Sequence, residues 1–392
     1  MLKNRMGFIL LMALFAILLI YSGNIFFLAG IIVLAVCIIL LAILINVDAK
    51  KIRVAIEARD GGRENDILPA YVIISNASRL LVAQSVYIEV ELENIMIGTT
   101  TTKSFLLMLT DKDTRYDVSS KPSACGEIHL HIKKAKVYDM FHIWHKSLPQ
   151  TEDACTTIYP RSMDIQISAS GKTTGTNNDE GISQNKKGND HSEMYDLREY
   201  VPGDDVRSIH WKLSSKADDL VLRESSNPSH YSIVIMPDYG RQILDNDIEA
   251  GKKYINTILA AGASLGSELL KNGIFFCMAL PTAHGLELFE VTNRNEWMQV
   301  ISQWMSFPVQ QVSGEGIQFF KMEHMARFFT RLVVLSAGRY SQNLKGMENE
   351  LEVILIESSD NKEFEYTQLS GGIDMVSIPV DGDKAEEYRI FC

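Results

Sequence analysis

The segment 196–224 gathers the residues of this sequence that are best suited to chemistry, and it reads DLREYVPGDDVRSIHWKLSSKADDLVLRE. Asp204, Asp205 and His210 lie close together in it, and carboxylates beside an imidazole are groups that can move protons in a hydrolase. No serine or cysteine in a recognisable nucleophile turn accompanies them. A hydrolase is therefore an alternative interpretation, and a structural role for these residues is the preferred one.

Arginine and tryptophan side chains in the same segment favour the structural role. Arg207 and Trp211 are four residues apart, so on a helix they can stack as a cation–π pair. Arg198 and Arg223 flank the aspartate pair, and each can clamp a carboxylate, that of an aspartate or of Glu224, in bidentate fashion. We therefore predict that this segment joins two domains and contains no catalytic residue.

Four histidines lie between positions 129 and 145: His129, His131, His142 and His145. On a strand, the first two point to the same face, and a third imidazole would complete a zinc site. Lys133 continues that face, which is typical of a polar surface in contact with water. We predict the polar surface. The sequence has no C-x-x-C, no P-loop and no dinucleotide-binding motif, so we expect neither a metal nor an organic cofactor.

Charge and hydropathy patterning define the class of protein. The chain has 392 residues and a net charge of −11, which argues against nucleic-acid binding. Residues 6–47 contain no charged side chain. As a helix, that run would be roughly twice as long as the hydrocarbon thickness of a bilayer. The turn-forming residues around Gly23 divide it, so we predict that residues 1–47 form a membrane anchor with spans at 6–21 and 25–45.

Basic residues flank both ends of this hairpin. Lys3 and Arg5 precede it, and Lys50, Lys51 and Arg53 follow it. Because basic residues prefer the cytoplasmic side, we expect a two-pass anchor in the cell membrane, with both termini and the soluble domains cytoplasmic. The alternative is one span plus an interfacial helix, which would place the C-terminal part outside. Membrane lipid is the partner that this region implies.

Period-two alternation of apolar and polar residues dominates the region 50–165, most clearly at 85–93 and 126–133. Such alternation is typical of half-buried strands. Further strands are predicted at 51–58, 69–75, 104–109 and 156–159. We predict an all-β immunoglobulin-like sandwich, followed by a flexible linker over 166–192, which is rich in Gly, Ser, Thr and Asn.

Continuous apolar strands alternate with helical patterns in the region 229–392. The predicted strands are 231–236, 274–280, 331–335, 351–356 and 373–378, and the predicted helices are 247–271, 295–306 and 341–350. An aromatic and methionine stripe at 319–329 is expected in the core. This pattern predicts a doubly wound α/β domain, whose ligand sites would lie at the carboxyl ends of the strands.

The string R-E-Y-x-P-G-D-D-x-R-x-I-x-W-K, followed by L-x-x-R-E, resembles the signature of the bacterial family called domain of unknown function fifty-eight. The signature segment spans 193–228, and its residues are Arg198, Tyr200, Pro202, Gly203, Asp204, Asp205, Arg207, His210, Trp211, Lys212, Leu220, Arg223 and Glu224. Cys125-Gly126-Glu127 and the Y-D-M-F at 138–141 also resemble the family's preceding segment. The resemblance covers nearly the whole chain and implies that the α/β domain is von Willebrand factor type A-like.

The same resemblance raises the question of a metal. Type A domains commonly hold Mg²⁺ through a D-x-S-x-S loop after the first strand. Asp238 occupies the aspartate position here, but Gly240 and Gln242 replace the two serines, and the family's T-D-G reads S-A-G at 336–338. These donors are too few for Mg²⁺, which prefers six oxygen ligands. We therefore expect Asp238 to cap a helix or to remain as a polar group at the rim of the sheet. A metal-dependent ligand binder that uses Asp238 is the alternative.

Members of this family resemble partners of MoxR-type AAA+ ATPases, which are proposed to act in assembly, maturation or envelope stress. The resemblance therefore implies a non-enzymatic, membrane-anchored protein-interaction module, with a MoxR-type ATPase or a client protein as its partner.

Overall fold

The computed structural model describes residues 2–76, 82–110, 112–149, 153–168, 194–199, 214, 221–225, 233–310, 312–337, 344, 346–360, 363–369, 372–380 and 388–391. The chain divides into two compact units. The first comprises residues 1–162 together with 240–263 and 298–311, and the second comprises 163–239, 264–297 and 312–392.

The first unit begins with helices α1 (Leu2–Ser22) and α2 (Ile25–Ala49), and both are long and apolar enough to cross a membrane. Gly23 turns the chain between them with a φ of 61°, and the side chain of Asn24 caps α2 by accepting the N–H of Phe26. The two predicted spans are confirmed as helices. Helix α2 continues past the predicted end at residue 45, because Ile45 and Ala49 are buried in the core of the β region that follows.

Among the described residues of the first unit, nine strands follow α2, and six of them overlap the strands predicted from the sequence. They are β1 (Ile52–Ala58), β2 (Gly62–Arg63), β3 (Ala70–Asn76), β4 (Ala83–Asn94), β5 (Thr99–Met108), β6 (Thr114–Asp117), β7 (Gly126–Asp139), β8 (His145–Ser147) and β9 (Ala154–Tyr159). One sheet has the order β1-β3-β6, and the other has the order β2-β9-β7-β4-β5, with β8 paired to β7.

The predicted alternation fixes which side of β4 is buried. Val86, Ile88 and Val90 lie in the core that strands of both sheets share, whereas Glu89 and Glu91 face away from it. The two glutamates pair with lysines of the neighbouring strand β7, with Nζ to carboxylate-oxygen distances of 2.9 and 3.0 Å. The inward side chains therefore supply the hydrophobic stabilisation, and the outward ones give the sheet a charged surface.

Three strands lie between the two regions predicted as folded domains: β10 (Ile165–Ser168), β11 (Met194–Glu199) and β12 (Val221–Ser225). Strand β10 pairs in parallel with Tyr388–Phe391 near the C-terminus. The linker predicted over 166–192 is therefore wrong at its first residues, which form a ladder with a segment far away in sequence. The rest of that predicted linker lies outside the described residues.

The remaining elements alternate strands with helices. They are β13 (Ile233–Pro237), α3 (Gln242–Asn246), α4 (Ile248–Lys271), β14 (Phe276–Thr282), β15 (Gly285–Val291), α5 (Arg294–Ser306), α6 (Glu315–Met322), β16 (Arg331–Ala337), β17 (Glu352–Ser359), β18 (Glu365–Gln368), β19 (Asp374–Pro379) and β20 (Tyr388–Phe391). Short 3-10 helices occupy Met325–Phe328 and Met347–Asn349. The second lies within the predicted helix 341–350, of which positions 344 and 346–350 are described.

The seven-stranded sheet has the order β15-β14-β13-β16-β17-β19-β18. Its five central strands are parallel, and β15 and β18 are antiparallel edges. Strands β13, β16 and β17 are buried along nearly their whole length, as expected for a parallel sheet covered on both faces. Phe320 and Phe329 lie in this core, which confirms the expectation for the aromatic stripe, while Met322 is exposed.

Helix α4 is fixed at both ends and at one internal polar position. Asp247 accepts the N–H groups of the first turn, and Gly273 ends the helix with a φ of 72°. Within it, the buried Asn256 accepts the N–H of Cys125 at 3.0 Å and donates to the carbonyl of Ser123 at 2.8 Å and to Glu64 at 2.9 Å. One side chain thus joins the helix to the β region, and its donors and acceptor are all satisfied.

Candidate functional site

The described part of the signature segment is its base. Strands β11 and β12 pair antiparallel, with Glu199 opposite Val221 and Arg198 opposite Leu222. The described residues on either side of positions 200–220 are therefore neighbours in this ladder. Arg223 and Glu224 lie in β12. The signature residues that lie outside the described part of the chain are Tyr200, Pro202, Gly203, Asp204, Asp205, Arg207, His210, Trp211, Lys212 and Leu220.

A row of polar residues crosses the carboxyl end of the seven-stranded sheet in the second unit. Asp238 follows β13, and its N–H donates to the carbonyl of Leu335 at 2.8 Å, so it lies beside Ser336 of β16. Ser336 is opposite Glu357 of β17, which is in turn opposite Ser377 of β19. All four are buried. Since neighbouring strands are about 4.8 Å apart, the backbones at Asp238 and Glu357 are about 10 Å apart.

Asp238 acts as a cap for helix α6. Its Oδ1 accepts the N–H of Gly314, the residue before the helix, at 2.8 Å. The other carboxylate oxygen is buried and has no hydrogen-bond partner. Asp238 therefore lies at the rim of the sheet, with one carboxylate oxygen bound to the N–H of the residue that precedes α6.

Burial controls the ionisation of this row. Desolvation raises the pKa of Asp238 from 3.8 to about 6, although the N–H groups of Gly314 and Gly316 act in the opposite direction. Burial also raises the pKa of Glu357. Both carboxyl groups lie at the edge where open α/β sheets bind ligands, so we take Asp238, Ser336, Glu357 and Ser377 as the candidate site.

Of these residues, Asp238 was a candidate from the sequence, whereas Glu357 and Ser377 were not. The signal was present, because each is a polar residue at or near the end of an otherwise apolar strand. The sequence did not reveal the register of the strands. Without the strand order and register, it is not possible to predict that these four residues lie in one row across the sheet.

The oxygen donors at this rim do not fit Mg²⁺. One oxygen of Asp238 is already used in the helix cap, and positions 240 and 242 carry glycine and glutamine. Asp238 therefore has one free carboxylate oxygen, and the backbone of Glu357 lies two strands away, whereas Mg²⁺ prefers a shell of six oxygen ligands. Within the described parts of the chain, no group of three or more histidine, cysteine, aspartate or glutamate side chains is arranged to hold a metal ion.

The four histidines are divided between two separate contacts. His129 and His131 each face carboxylates, with Nε2 of His129 2.6 Å from Glu127 and Nδ1 of His131 3.0 Å from Asp153. His142 and His145 stack on the ring of Tyr138 instead, with centroid distances of 5.3 and 5.7 Å. The first pair lies on a partly exposed, charged face, which agrees with the predicted polar surface.

Comparisons with known proteins identify no relative. No family model and no curated protein matches the chain. The cohesin module of a Clostridium perfringens family 33 glycoside hydrolase aligns with 28% of this chain and 98% of its own, at 11% identity and a TM-score of 0.23. The CARDB domain of a Pyrococcus furiosus protein aligns with 27% of this chain and 84% of its own, at 18% identity and a TM-score of 0.20.

A putative β-galactosidase from Bacteroides fragilis aligns with 79% of this chain and 39% of its own, at 9% identity and a TM-score of 0.21. Likenesses at this level define neither the fold nor the activity of the chain. They give no ground for calling it an enzyme, and none for saying that it is not one.

Proposed function

We propose that this chain is a membrane-anchored, cytosol-facing protein-interaction module of the kind called domain of unknown function fifty-eight. Its partner is a MoxR-type AAA+ ATPase or a client of such an ATPase, and the process served is the assembly or maturation of other proteins or the response to envelope stress. The module is non-enzymatic and binds its partner through the signature segment.

The observation that carries this proposal is the order of the seven-stranded sheet. Numbered along the chain within the sheet, the strands are arranged 3-2-1-4-5-7-6. The chain therefore adds strands first to one side of strand 1 and then, from strand 4 onward, to its other side. This is the organisation of a doubly wound α/β domain and supports a von Willebrand factor type A-like fold. The two sheets of the β region share one core, which supports an immunoglobulin-like sandwich.

Pairing of β11 with β12 supports the signature segment as the binding element. The ladder places Glu199 opposite Val221, the two described residues that flank positions 200–220. Paired flanking residues reduce the conformational entropy that the chain between them can lose on binding a partner. The capping role of Asp238 supports a binding mode that needs no metal ion.

A binding assay with the full chain in detergent tests the proposal. A purified MoxR-type ATPase is immobilised, and the wild-type chain is compared with Arg207→Ala, Trp211→Ala and the control Arg294→Ala, which removes an exposed arginine at the start of α5. We expect the wild type and the control to bind, and each signature variant to bind at least tenfold more weakly. Failure of the wild type to bind, or equal binding by the signature variants, would contradict the proposal.

A further inference from the structure

The loop between β7 and β8 exposes large apolar side chains. Met140, Phe141 and Trp144 are 52%, 42% and 37% exposed. Three such residues within five positions are unusual on a surface in contact with water, because their burial elsewhere would be favourable. The loop belongs to the first unit, as do helices α1 and α2.

Asp139 holds this loop in one conformation. Its Oδ1 accepts the N–H groups of Ile143 at 2.7 Å and Trp144 at 3.0 Å, and its carbonyl accepts the N–H of His142 at 3.0 Å. Asp139 is fully buried, and His142 adopts a left-handed conformation with a φ of 53°. The apolar side chains are thus exposed by a fixed turn.

The loop lies against the first turns of α1. The Asn4 side chain donates to the carbonyl of Phe141 at 2.7 Å, and Nε of Arg5 donates to that of Ile143 at 2.8 Å. The rings of Phe8 and Phe141 meet edge to face at 5.7 Å. Asn4, Gly7, Phe8, Leu11, Met140 and Phe141 line an open groove of about 360 Å³.

The contact with α2 gives the depth of the loop relative to the apolar helices. Nε1 of Trp144 donates to the carbonyl of Ile38 at 3.1 Å. Ile39 and Ile43, which are 60% and 59% exposed, follow Ile38 towards the charged end of α2. A bilayer that covers Ile43 extends roughly 7 Å along the helix beyond Ile38, at 1.5 Å per residue. It therefore also covers the level of Trp144.

The charges around the loop fit the headgroup region of a bilayer. The guanidinium of Arg5 lies 5.6 Å from the centre of the Trp144 ring. Burial lowers the pKa of His145, and Lys136 and Arg5 lie close enough to lower it further. Tryptophan and basic side chains together are typical of the interface between lipid and water, where the aromatic ring faces the acyl chains and the cation faces the phosphate.

We propose that residues 140–144 form a third membrane-contacting element, which inserts Met140, Phe141 and Trp144 into the interfacial region of the bilayer. The inference rests on the membrane anchoring contained in the proposed function. The partner of this element is a phospholipid surface. As a consequence, the β region is attached to the bilayer at two places, through α2 and through residues 140–144, which restricts its orientation.

Quenching of tryptophan fluorescence by brominated lipid tests this insertion. The full chain and Trp144→Phe are placed in nanodiscs whose acyl chains are brominated near the headgroup or not at all. Trp297 and Trp304 are about 1% exposed and serve as an internal reference in both proteins. We expect brominated lipid to remove emission from the wild type that is not removed from the variant. Equal absolute losses in the two proteins would overturn the proposal, and would indicate that the loop faces water or a protein.

Two variants of Asp139 test its role as a positioning residue. In Asp139→Ala, the N–H groups of Ile143 and Trp144 lose their acceptor, so the quenching of Trp144 should fall. Asp139→Asn keeps an acceptor oxygen and should restore it; equal quenching in all three proteins would refute the positioning role. Extraction with alkaline carbonate separates the two proposals. A chain that remains in the membrane without quenching of Trp144 contradicts the insertion alone, whereas an extracted chain contradicts the anchor.

Discussion

Replacing Asp238 by asparagine removes an ionisable group from the rim of the seven-stranded sheet without removing the helix cap. The amide oxygen of asparagine can accept the N–H of Gly314 as Oδ1 of Asp238 does. The amide nitrogen would occupy the position of the buried oxygen that has no partner. The protonated carboxyl group of the wild type places a similar unpaired donor there. The two proteins should therefore have similar stability at low pH.

The difference between them should grow as the pH rises. Burial raises the pKa of Asp238 from 3.8 to about 6, so the unfolded chain loses this proton more readily than the folded one. The stability that the protonated group provides is fully present below pH 3.8 and is lost as the pH rises through about 6. At about 1.4 kcal/mol for each pKa unit, the loss amounts to about 3 kcal/mol. Asp238→Asn should become more stable than the wild type by about this amount above pH 7.

Thermal unfolding of the full chain in detergent, followed by intrinsic fluorescence between pH 4 and pH 8, measures this difference. For a unit of this size, about 3 kcal/mol corresponds to a melting-temperature difference of roughly 6–12 °C. Asp360→Asn is the matched control, because Asp360 is an exposed carboxylate in the same unit and its variant should follow the wild type throughout. A difference between Asp238→Asn and the wild type that does not change with pH would refute the reasoning.

Two further predictions concern packing and topology. Gly266→Ala should lower the melting temperature, since a Cβ at this position would lie 2.7 Å from Trp297 Cε2 and 2.9 Å from Phe276 Cζ. Overpacking of this kind costs about 1–3 kcal/mol. The gain in helix propensity from glycine to alanine is about 1 kcal/mol, which is too small to offset most of that cost. Trp297→Phe should relieve part of that loss in a double-mutant cycle, and a Gly266→Ala protein that melts above the wild type would contradict this account. Cys155 is exposed in the β region, so a membrane-impermeant maleimide should label it after cells are lysed and not before, with Cys155→Ser as the control. Labelling of Cys155 in intact cells would favour a single span with the C-terminal part outside.

Local pattern was sufficient to predict most elements. The charge-free run predicted α1 and α2, and period-two alternation predicted β4 and the first half of β7. The termini of elements were less accurate, because they depend on contacts between distant residues. Helix α2 runs on to Ala49 because the β region buries its last turns, and β10 forms because a strand near the C-terminus pairs with it.

The candidate site was predictable at one residue. Asp238 was identified because it occupies the aspartate position of the type A metal loop that the family resemblance implies, and a capping role was one of two expectations for its short polar side chain. Glu357 was not predicted as a site residue, since the sequence does not show that it lies in the same row across the sheet as Asp238. The loop proposed to contact the membrane was not predicted for the same reason, because its exposed aromatic residues could not be related to α2 until Trp144 was found to donate to the carbonyl of Ile38.

Local sequence pattern was enough to predict two apolar helices long enough to cross a membrane, a β region and a parallel α/β region, because hydrophobic periodicity is a local property that burial imposes on each element. The tertiary structure alone decided which polar groups share an environment. The pKa of Asp238 and the position of Trp144 beside α2 both depend on neighbours that strand order and helix packing bring close. These neighbours are far away along the chain, so the sequence does not identify them.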